Sequence, residues 1–491
     1  MSRRAAAIVL LILSILLIVA RLRSYDEPPE WDIGTYQAIA REILRGERLY
    51  ADAWDVKPPG IFVTFAATQF FTGDGALPVY LLSVAMAIVT MFGVYFAASV
   101  AGRAAGMWAT LFWAAMCFEP WTGGNLPNTE VFINACSAWA FAIWLRSRGT
   151  ELPWRRAAAI GLLFAVASLY KQVAIVIPIC IGVAFLGTAV RATLARHATK
   201  LFAAAAIVVL IWSAVLAYFA ATGRGWLAWQ TFFVAPRAYS GSMIGNLAAS
   251  ILPQNMVSKY LIFALPAMAL TIIGAFGGER AAPRRAWALF AGLVVGTHLA
   301  VALPGQFHGH YYQLWFVPLA IGAGWGAAGL PKRVGARRTG LAYAVGVLAL
   351  LAMIVPQASW YALSGREWAR RKYGDFFIAA QDSFHAAGRM LPKDETFYTW
   401  SDEAYAYAST RRRPPATALW KMHTTTGPLA DWLTRRTLAD LQKNPPAMII
   451  LYGEPPGPTG HPILEWTRQH YELMPDERRE YFPLTLYVRR K

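Results

Sequence analysis

The chain has 491 residues, 56% of them hydrophobic and only 15% charged, with a formal net charge of +18. Apolar runs of about 20 residues, long enough to cross a bilayer, recur along most of its length and exclude a soluble globular protein. The basic residues sit in short loops between those runs and near the C-terminus, with no continuous stripe beside exposed aromatics. That excludes nucleic acid as a partner and leaves anionic lipid headgroups as the expected counter-charge.

Residues 5–20 form the first apolar run, preceded by Arg3 and Arg4 and lacking a small-x-small cleavage site. It reads as a retained first span. The stretch 30–60, EWDIGTYQAIAREILRGERLYADAWDVKPPG, follows and is rich in carboxylates. In it Tyr36, Ile39, Ala40, Ile43 and Leu44 share one helical face, with Arg41, Glu42 and Arg45 opposite. Gly46 ends that helix, because glycine accepts the left-handed conformation a helix end often needs. The pattern predicts an interfacial helix with Asp32 at its start and Lys57-Pro58-Pro59 where the chain returns to lipid. Residues 61–71 are too short to span and read as re-entrant or interfacial.

Further spans are predicted over 79–99, 104–118, 131–145, 157–169, 173–190, 201–221, 260–276, 286–303, 314–329 and 341–355, about eleven in all with the first. From residue 357 charge rises and apolar runs shorten. Short strands are expected at 396–400, 447–452 and 484–489, and helices at 402–409 and 438–443. The fold class is therefore a polytopic α-helical membrane domain over 1–356, with interfacial helices in 23–72, and a soluble α/β domain over 357–491. Cys117, Cys136 and Cys180 are scattered through apolar segments and define neither a disulfide framework nor a metal spacing.

With the N-terminus inside, the cytoplasmic loops hold Arg103; Arg146, Arg148, Arg155 and Arg156; Arg191, Arg196 and Lys200; Arg280, Arg284 and Arg285; and Lys332, Arg333, Arg337 and Arg338. The opposite loops 119–130 and 304–312 contain no lysine or arginine. This orientation puts Asp32, Asp55, Lys57, Glu119, Glu130, Lys171, Arg237, His308 and His310 on one extracytoplasmic side of a plasma membrane. The aromatic loop 222–256 lies on that side too, and so does the C-terminal domain.

Each of these residues has a chemical reading beside a plainer one. Asp32 could take a proton from an acceptor hydroxyl, or cap its helix. Lys57, stiffened by two prolines, could hold a phosphate as a point charge, or snorkel at the lipid boundary. Asp55 could pair with Lys57 or help hold a divalent metal. Glu130, where NLPNTE meets a span, could bind sugar hydroxyls, orient Asp32, ligate a metal or cap a helix. Lys171 has no acid near it in sequence, which points to an anionic ligand. His308 and His310 form an HxH pair that could bind a metal or hydrogen-bond a phosphate, with Tyr311 following. No Walker loop, dinucleotide fingerprint, HExxH or nucleophile elbow is present at a usable place, so a nucleotide or nucleotide-sugar site is unsupported.

The ordered set of an acid opening the first amphipathic helix, LYADAWDVKPPG, NTEVF, LYKQ and HGHYYQLWFVP resembles the GT-C glycosyltransferases. The closest resemblance is to the family of protein O-mannosyltransferases and lipid A aminoarabinose transferases. It implies a polyprenyl-phosphate sugar donor used on the extracytoplasmic face; direct displacement of the phosphate would invert the anomeric carbon, and the acceptor, an envelope glycan, lipid or protein, is left open. Asp32 matches the family's catalytic acid and Lys57 the donor-phosphate lysine of its KPP motif. Glu130 is a second catalytic candidate; Lys171, Arg237, His310 and Tyr311 are candidates for the phosphate. Asp55, Glu130, His308 and His310 are the candidate ligands if a divalent metal is used. The sequence departs from the family at Ile33, where many members have Glu, and at Val56, where some have an acid. A non-enzymatic lipid or glycan transporter or flippase is the competing reading, distinguished by charge at the membrane midplane. A ligase transferring whole glycans from a pyrophosphate lipid would need a larger basic outer cavity.

Overall fold

The computed structural model describes residues 2–147, 152–256, 260–277, 280–334, 336–452, 460–474 and 484–490; Arg148 of the expected cytoplasmic loop lies outside them. The chain forms two compact units, one from Met1–Arg23, Tyr80–Val215 and Ser240–Ala362, the other from Ser24–Val79, Leu216–Tyr239 and Leu363–Lys491.

The first unit is helical. Every apolar segment marked in the sequence is a helix, and among the described residues six helices are long and apolar enough to cross a membrane by length and composition. They are Arg3–Leu22, Ala76–Ala101, Arg191–Ala221, Arg284–Ala302, Gly309–Val334 and Thr339–Ala362. The remainder are shorter: Thr129–Leu145, for example, has 17 residues. Short helices of this kind need neighbours as well as lipid around them. Small residues supply the close approach: Gly324 packs where a Cβ would lie 2.7 Å from the Ala109 backbone nitrogen. Buried polar groups close locally, as where the Trp325 indole donates to the Ala98 carbonyl at 2.9 Å.

The second unit is built on a four-stranded sheet of order β1-β2-β4-β3. Its strands are β1 (Phe397–Trp400), β2 (Met448–Tyr452), β3 (Tyr471–Leu473) and β4 (Leu484–Arg489). β1 and β2 run parallel, and β4 pairs antiparallel with both β2 and β3. Tyr398, Trp400, Ile449 and Leu451 of the sheet pack with Leu441, Ile463 and Trp466 of two helices, Ala430–Lys443 and Pro462–His470.

The expected division at residue 357 differs from this arrangement. Residues 24–79 belong to the unit formed by the C-terminal segment, and so does Leu216–Tyr239. The reason lies in the helix Trp31–Leu44. Its supposed polar face is only partly open to water: Arg41 and Glu42 are buried and Arg45 is exposed, whereas Leu44, assigned to the apolar face, is 44% exposed. Arg41 bonds Asp74 at 2.8 Å and the carbonyls of Tyr407 and Arg412 at 3.0 and 2.8 Å. Glu42 meets Arg413 at 2.9 Å. Two of the three charged positions on that face, Arg41 and Glu42, are the ones the C-terminal segment covers. Gly34 fits this packing, because a Cβ there would fall on the Tyr405 backbone. The helix Pro59–Thr72 has only 14 residues and is too short to cross a bilayer.

Candidate active site

The helix that carries Asp32 begins at Trp31 and is capped by Glu30, whose carboxylate accepts from the Asp32 and Ile33 amides at 3.2 Å each. The capping role open to Asp32 in the sequence thus falls to Glu30, and the Asp32 side chain is turned to other use. It accepts from the Lys57 ammonium at 2.7 Å. Asp55 completes the group, with its Oδ2 3.5 Å from the same ammonium and its side chain only 3% exposed.

Local backbone geometry fixes Lys57. Pro58 is extended and Pro59 opens the helix Pro59–Thr72, so the lysine cannot be drawn into that helix. Tyr50, held at a positive φ of 71°, donates its hydroxyl to the Lys57 carbonyl at 2.8 Å. Arg224 ties the same loop by donating to the Leu49 carbonyl at 2.9 Å. The Lys57 ammonium also lies 5.1 Å from the Tyr36 ring centre. Burial alone would lower the Lys57 pKa; the Asp32 and Asp55 carboxylates outweigh it and hold the ammonium well above the ordinary lysine range. Glu30 is pushed up to about 7 by burial and then by the charge of Asp32.

Sequence reasoning did not find the C-terminal contribution to this group. Trp54 donates its backbone N–H to the Thr417 carbonyl at 3.0 Å and its indole to Thr231 at 2.9 Å. Trp420 donates to Thr35, one turn beyond Asp32, at 3.0 Å. Between them sits His423, edge-on to Trp54 with ring centres 4.8 Å apart. Burial lowers its imidazole to about 4, with Asp55, Lys57, Asp402 and Asp32 all acting on it. KMHTTTG, where His423 stands, has no spacing or periodicity that marks a site. Its proximity to Asp55 exists only once the chain is folded.

The first unit holds the remaining candidates. Glu130, in the first turn of Thr129–Leu145 and fully buried, accepts from the Lys171 ammonium at 2.8 Å and from the Thr129 hydroxyl at 3.0 Å. Lys171 therefore has an acid 41 residues away in sequence, where no acid was visible nearby. Its ammonium lies 3.2 Å from the Tyr311 ring centre. His310 packs edge-on to Tyr311 at 4.7 Å, and His308 stacks on His310 at 5.7 Å. Gln313 fastens this segment by donating to the Thr122 carbonyl at 2.8 Å and accepting from Asn134 through its own carbonyl at 2.8 Å. Glu130, Lys171, His310 and Tyr311 are thus brought together. Arg237 is exposed on the short helix Ala235–Ser240 of the second unit.

Among the described residues no group of three or more His, Cys, Asp and Glu is placed to hold a metal ion. The space between Asp32 and Asp55 is taken by the Lys57 ammonium, and Glu130 is engaged by Lys171.

No family profile and no curated protein sequence matches the chain. Solved structures do. ArnT from Cupriavidus metallidurans bound to undecaprenyl phosphate matches with a TM-score of 0.60 at 14% identity, over 99% of this chain and 98% of that one. The archaeal oligosaccharyltransferase AglB from Archaeoglobus fulgidus, in complex with an inhibitory peptide and a dolichol-phosphate, matches with a TM-score of 0.57 at 14% identity, over 91% and 69%. Arabinofuranosyltransferase AftD from Mycobacteria matches with a TM-score of 0.52 at 14% identity, over 99% and 42%. At these identities the likeness is one of fold, which this chain shares with the three solved structures.

Proposed function

We propose that this multi-pass membrane protein of GT-C fold is an inverting glycosyltransferase. It moves a sugar from a polyprenyl-phosphate donor to an acceptor hydroxyl on the extracytoplasmic side of the plasma membrane. The observation that carries the reading is the 2.7 Å pair of Asp32 and Lys57, with Asp55 at 3.5 Å behind it. An acid and a cation from separate motifs meet at one point, as transfer from a phosphate leaving group requires.

The chemistry needs little else. Asp32 takes the proton from the acceptor hydroxyl as its oxygen forms the new bond to the anomeric carbon. The bond from that carbon to the phosphate oxygen breaks, and the prenyl phosphate leaves with the electron pair. A phosphate is a weak base, so no strong general acid is needed; a cation that stabilises the departing charge is. Lys57 supplies it. Before the donor arrives, Lys57 neutralises Asp32, and a bound phosphate competes for the ammonium and releases the carboxylate to act as base. Lys171, which pairs with Glu130, and His310, Tyr311 and Arg237 remain candidates for phosphate binding in this proposal, each to be tested by its own substitution. About eleven spans and an extracytoplasmic C-terminal α/β domain complete the arrangement.

The test uses the purified protein with undecaprenyl phosphate and its sugar-linked forms. Asp32→Asn should abolish turnover while binding of undecaprenyl phosphate persists; residual turnover near the wild-type rate would remove Asp32 as base. Lys57→Ala should weaken undecaprenyl phosphate binding at least tenfold, and an unaltered affinity would remove its phosphate role. Mass spectrometry of the envelope from a deletion strain would name the sugar and the acceptor together.

A further inference from the structure

Resting on the glycosyltransferase reading, we propose that His423, contributed by the C-terminal segment, is a sugar-binding residue of the Asp32–Lys57–Asp55 site and hydrogen-bonds a hydroxyl of the transferred sugar. His423 stands on the short helix Lys421–Thr425, which is fastened at its start. The Lys421 amide donates to the Ser401 carbonyl at 2.9 Å and the Met422 amide to the Asp402 carboxylate at 2.8 Å. Trp420, immediately before, is anchored to Thr35 at 3.0 Å, and Trp54 is tied to Thr417 at 3.0 Å. The imidazole is thereby held against both the helix of Asp32 and the loop of Lys57, with Trp54 and Trp420 as flanking rings at 4.8 and 6.0 Å.

Two observations point from this placement to a ligand. The Nδ1 of His423 is shut away from solvent and has no hydrogen-bond partner among the described residues, and Asp55 Oδ2 likewise accepts no hydrogen bond. Buried polar atoms are nearly always satisfied, so the unpartnered His423 Nδ1, in the neighbourhood of an Asp55 oxygen held only by the 3.5 Å ion pair to Lys57, marks a place where a ligand's polar groups belong. The ring is also neutral at physiological pH, since its pKa lies near 4. A neutral imidazole offers one donor and one acceptor, which matches a hydroxyl; the phosphate charge is met by Lys57. Trp420 beside it is only partly buried and offers an apolar face on which the C–H side of a sugar ring packs, while Trp54, 2% exposed, backs the imidazole from inside.

The experiment compares the affinity of undecaprenyl phosphate with that of a panel of undecaprenyl-phosphoryl hexoses and pentoses. Wild type, His423→Leu and His423→Gln are to be measured, with melting curves as a folding control. His423→Leu should lose tenfold or more toward its best sugar-linked ligand and keep undecaprenyl phosphate within twofold, while His423→Gln stays within threefold on both. Unaltered affinity for the sugar-linked ligand in His423→Leu, or equal losses on both ligands, would overturn the assignment. Should the leucine variant fail to fold, the wild type still decides. Its modification by diethyl pyrocarbonate, located at His423 by mass spectrometry, should be slowed by the sugar-linked ligand and not by undecaprenyl phosphate; equal or no protection overturns the proposal. A wild type that binds neither ligand would sink the glycosyltransferase reading itself, and this one with it, whereas binding with no dependence on His423 sinks this one alone.

Discussion

Asp32, Lys57 and Asp55 place two carboxylates and one ammonium within ion-pair distance. Removing the ammonium leaves Asp55, almost fully buried, beside Asp32 with nothing between them. Lys57→Ala should therefore cost stability as well as donor binding, about 1–3 kcal/mol, read as a lower apparent melting temperature in detergent. Lys57→Arg should recover most of that stability. Glu30 makes a pH-dependent contribution of calculable sign. Its folded pKa, about 7 against an ordinary 4.5, means that the folded state binds a proton the unfolded chain has released. Stability from this group is full below pH 4.5 and is lost as pH rises through 7. His423, lowered to about 4 from 6.5, acts in the opposite sense: its contribution is present above 6.5 and is lost as pH falls through 4. The two partly cancel in the wild type between pH 4.5 and 6.5. Glu30→Gln keeps a capping acceptor and removes the carboxylate, so its melting temperature should rise more steeply with pH over that window. Parallel curves for wild type and variant would refute the assignment to Glu30.

At the scale of the element, the helix Trp31–Leu44 takes two of the three polar positions expected on its wet face, Arg41 and Glu42, out of solvent. Arg41 supplies three hydrogen bonds, one to Asp74 and two to carbonyls of the C-terminal segment. Arg41→Met keeps the aliphatic stem and leaves those acceptors without their donor, a loss of about 2 kcal/mol or more. Gly34 is packed on Tyr405, so Gly34→Ala forces the helix and the segment apart and should cost about 1–3 kcal/mol. Both substitutions lie away from the Asp32 carboxylate. Both should nonetheless weaken binding of undecaprenyl phosphate, because the helix they loosen is the one that positions Asp32. Either variant with wild-type melting and wild-type binding would count against that coupling.

For the whole molecule, the composite second unit has a direct consequence. Residues 24–79 and 363–491 share one core region, with Arg41, Glu27 and Trp54 bonded to the C-terminal segment; Glu27 meets Lys372 at 3.0 Å, both side chains being buried. A chain truncated after Ala362 would remove Lys372 from Glu27, Arg413 from Glu42, and the Tyr407 and Arg412 carbonyls from Arg41. Limited proteolysis should then cut within residues 24–79, which the intact chain protects, and undecaprenyl phosphate binding should be lost together with sugar discrimination. A truncated protein that resists proteolysis there would show that the stretch folds independently. His423 makes the same point chemically, since the C-terminal segment supplies a ring to the neighbourhood of Asp55.

Periodicity and local chemistry made much of this legible. The apolar runs became helices because burying side chains on a helical face depends only on spacing. Gly46 sits at a positive φ of 95° just past the helix it was expected to end. The strands at 397, 448 and 484 were readable from their β-branched and aromatic runs, whereas the three-residue β3 is too short to carry a pattern. Asp32 and Lys57 stood out because each lies in a motif with its own local geometry. Which acid Lys171 meets, what covers Arg41 and which histidine stands beside Asp55 were decided by tertiary structure alone. A buried charge takes its partner from whatever the fold brings within about 3 Å, and no spacing along the chain encodes a meeting across the 41 residues between Glu130 and Lys171 or the 366 between Arg41 and Tyr407.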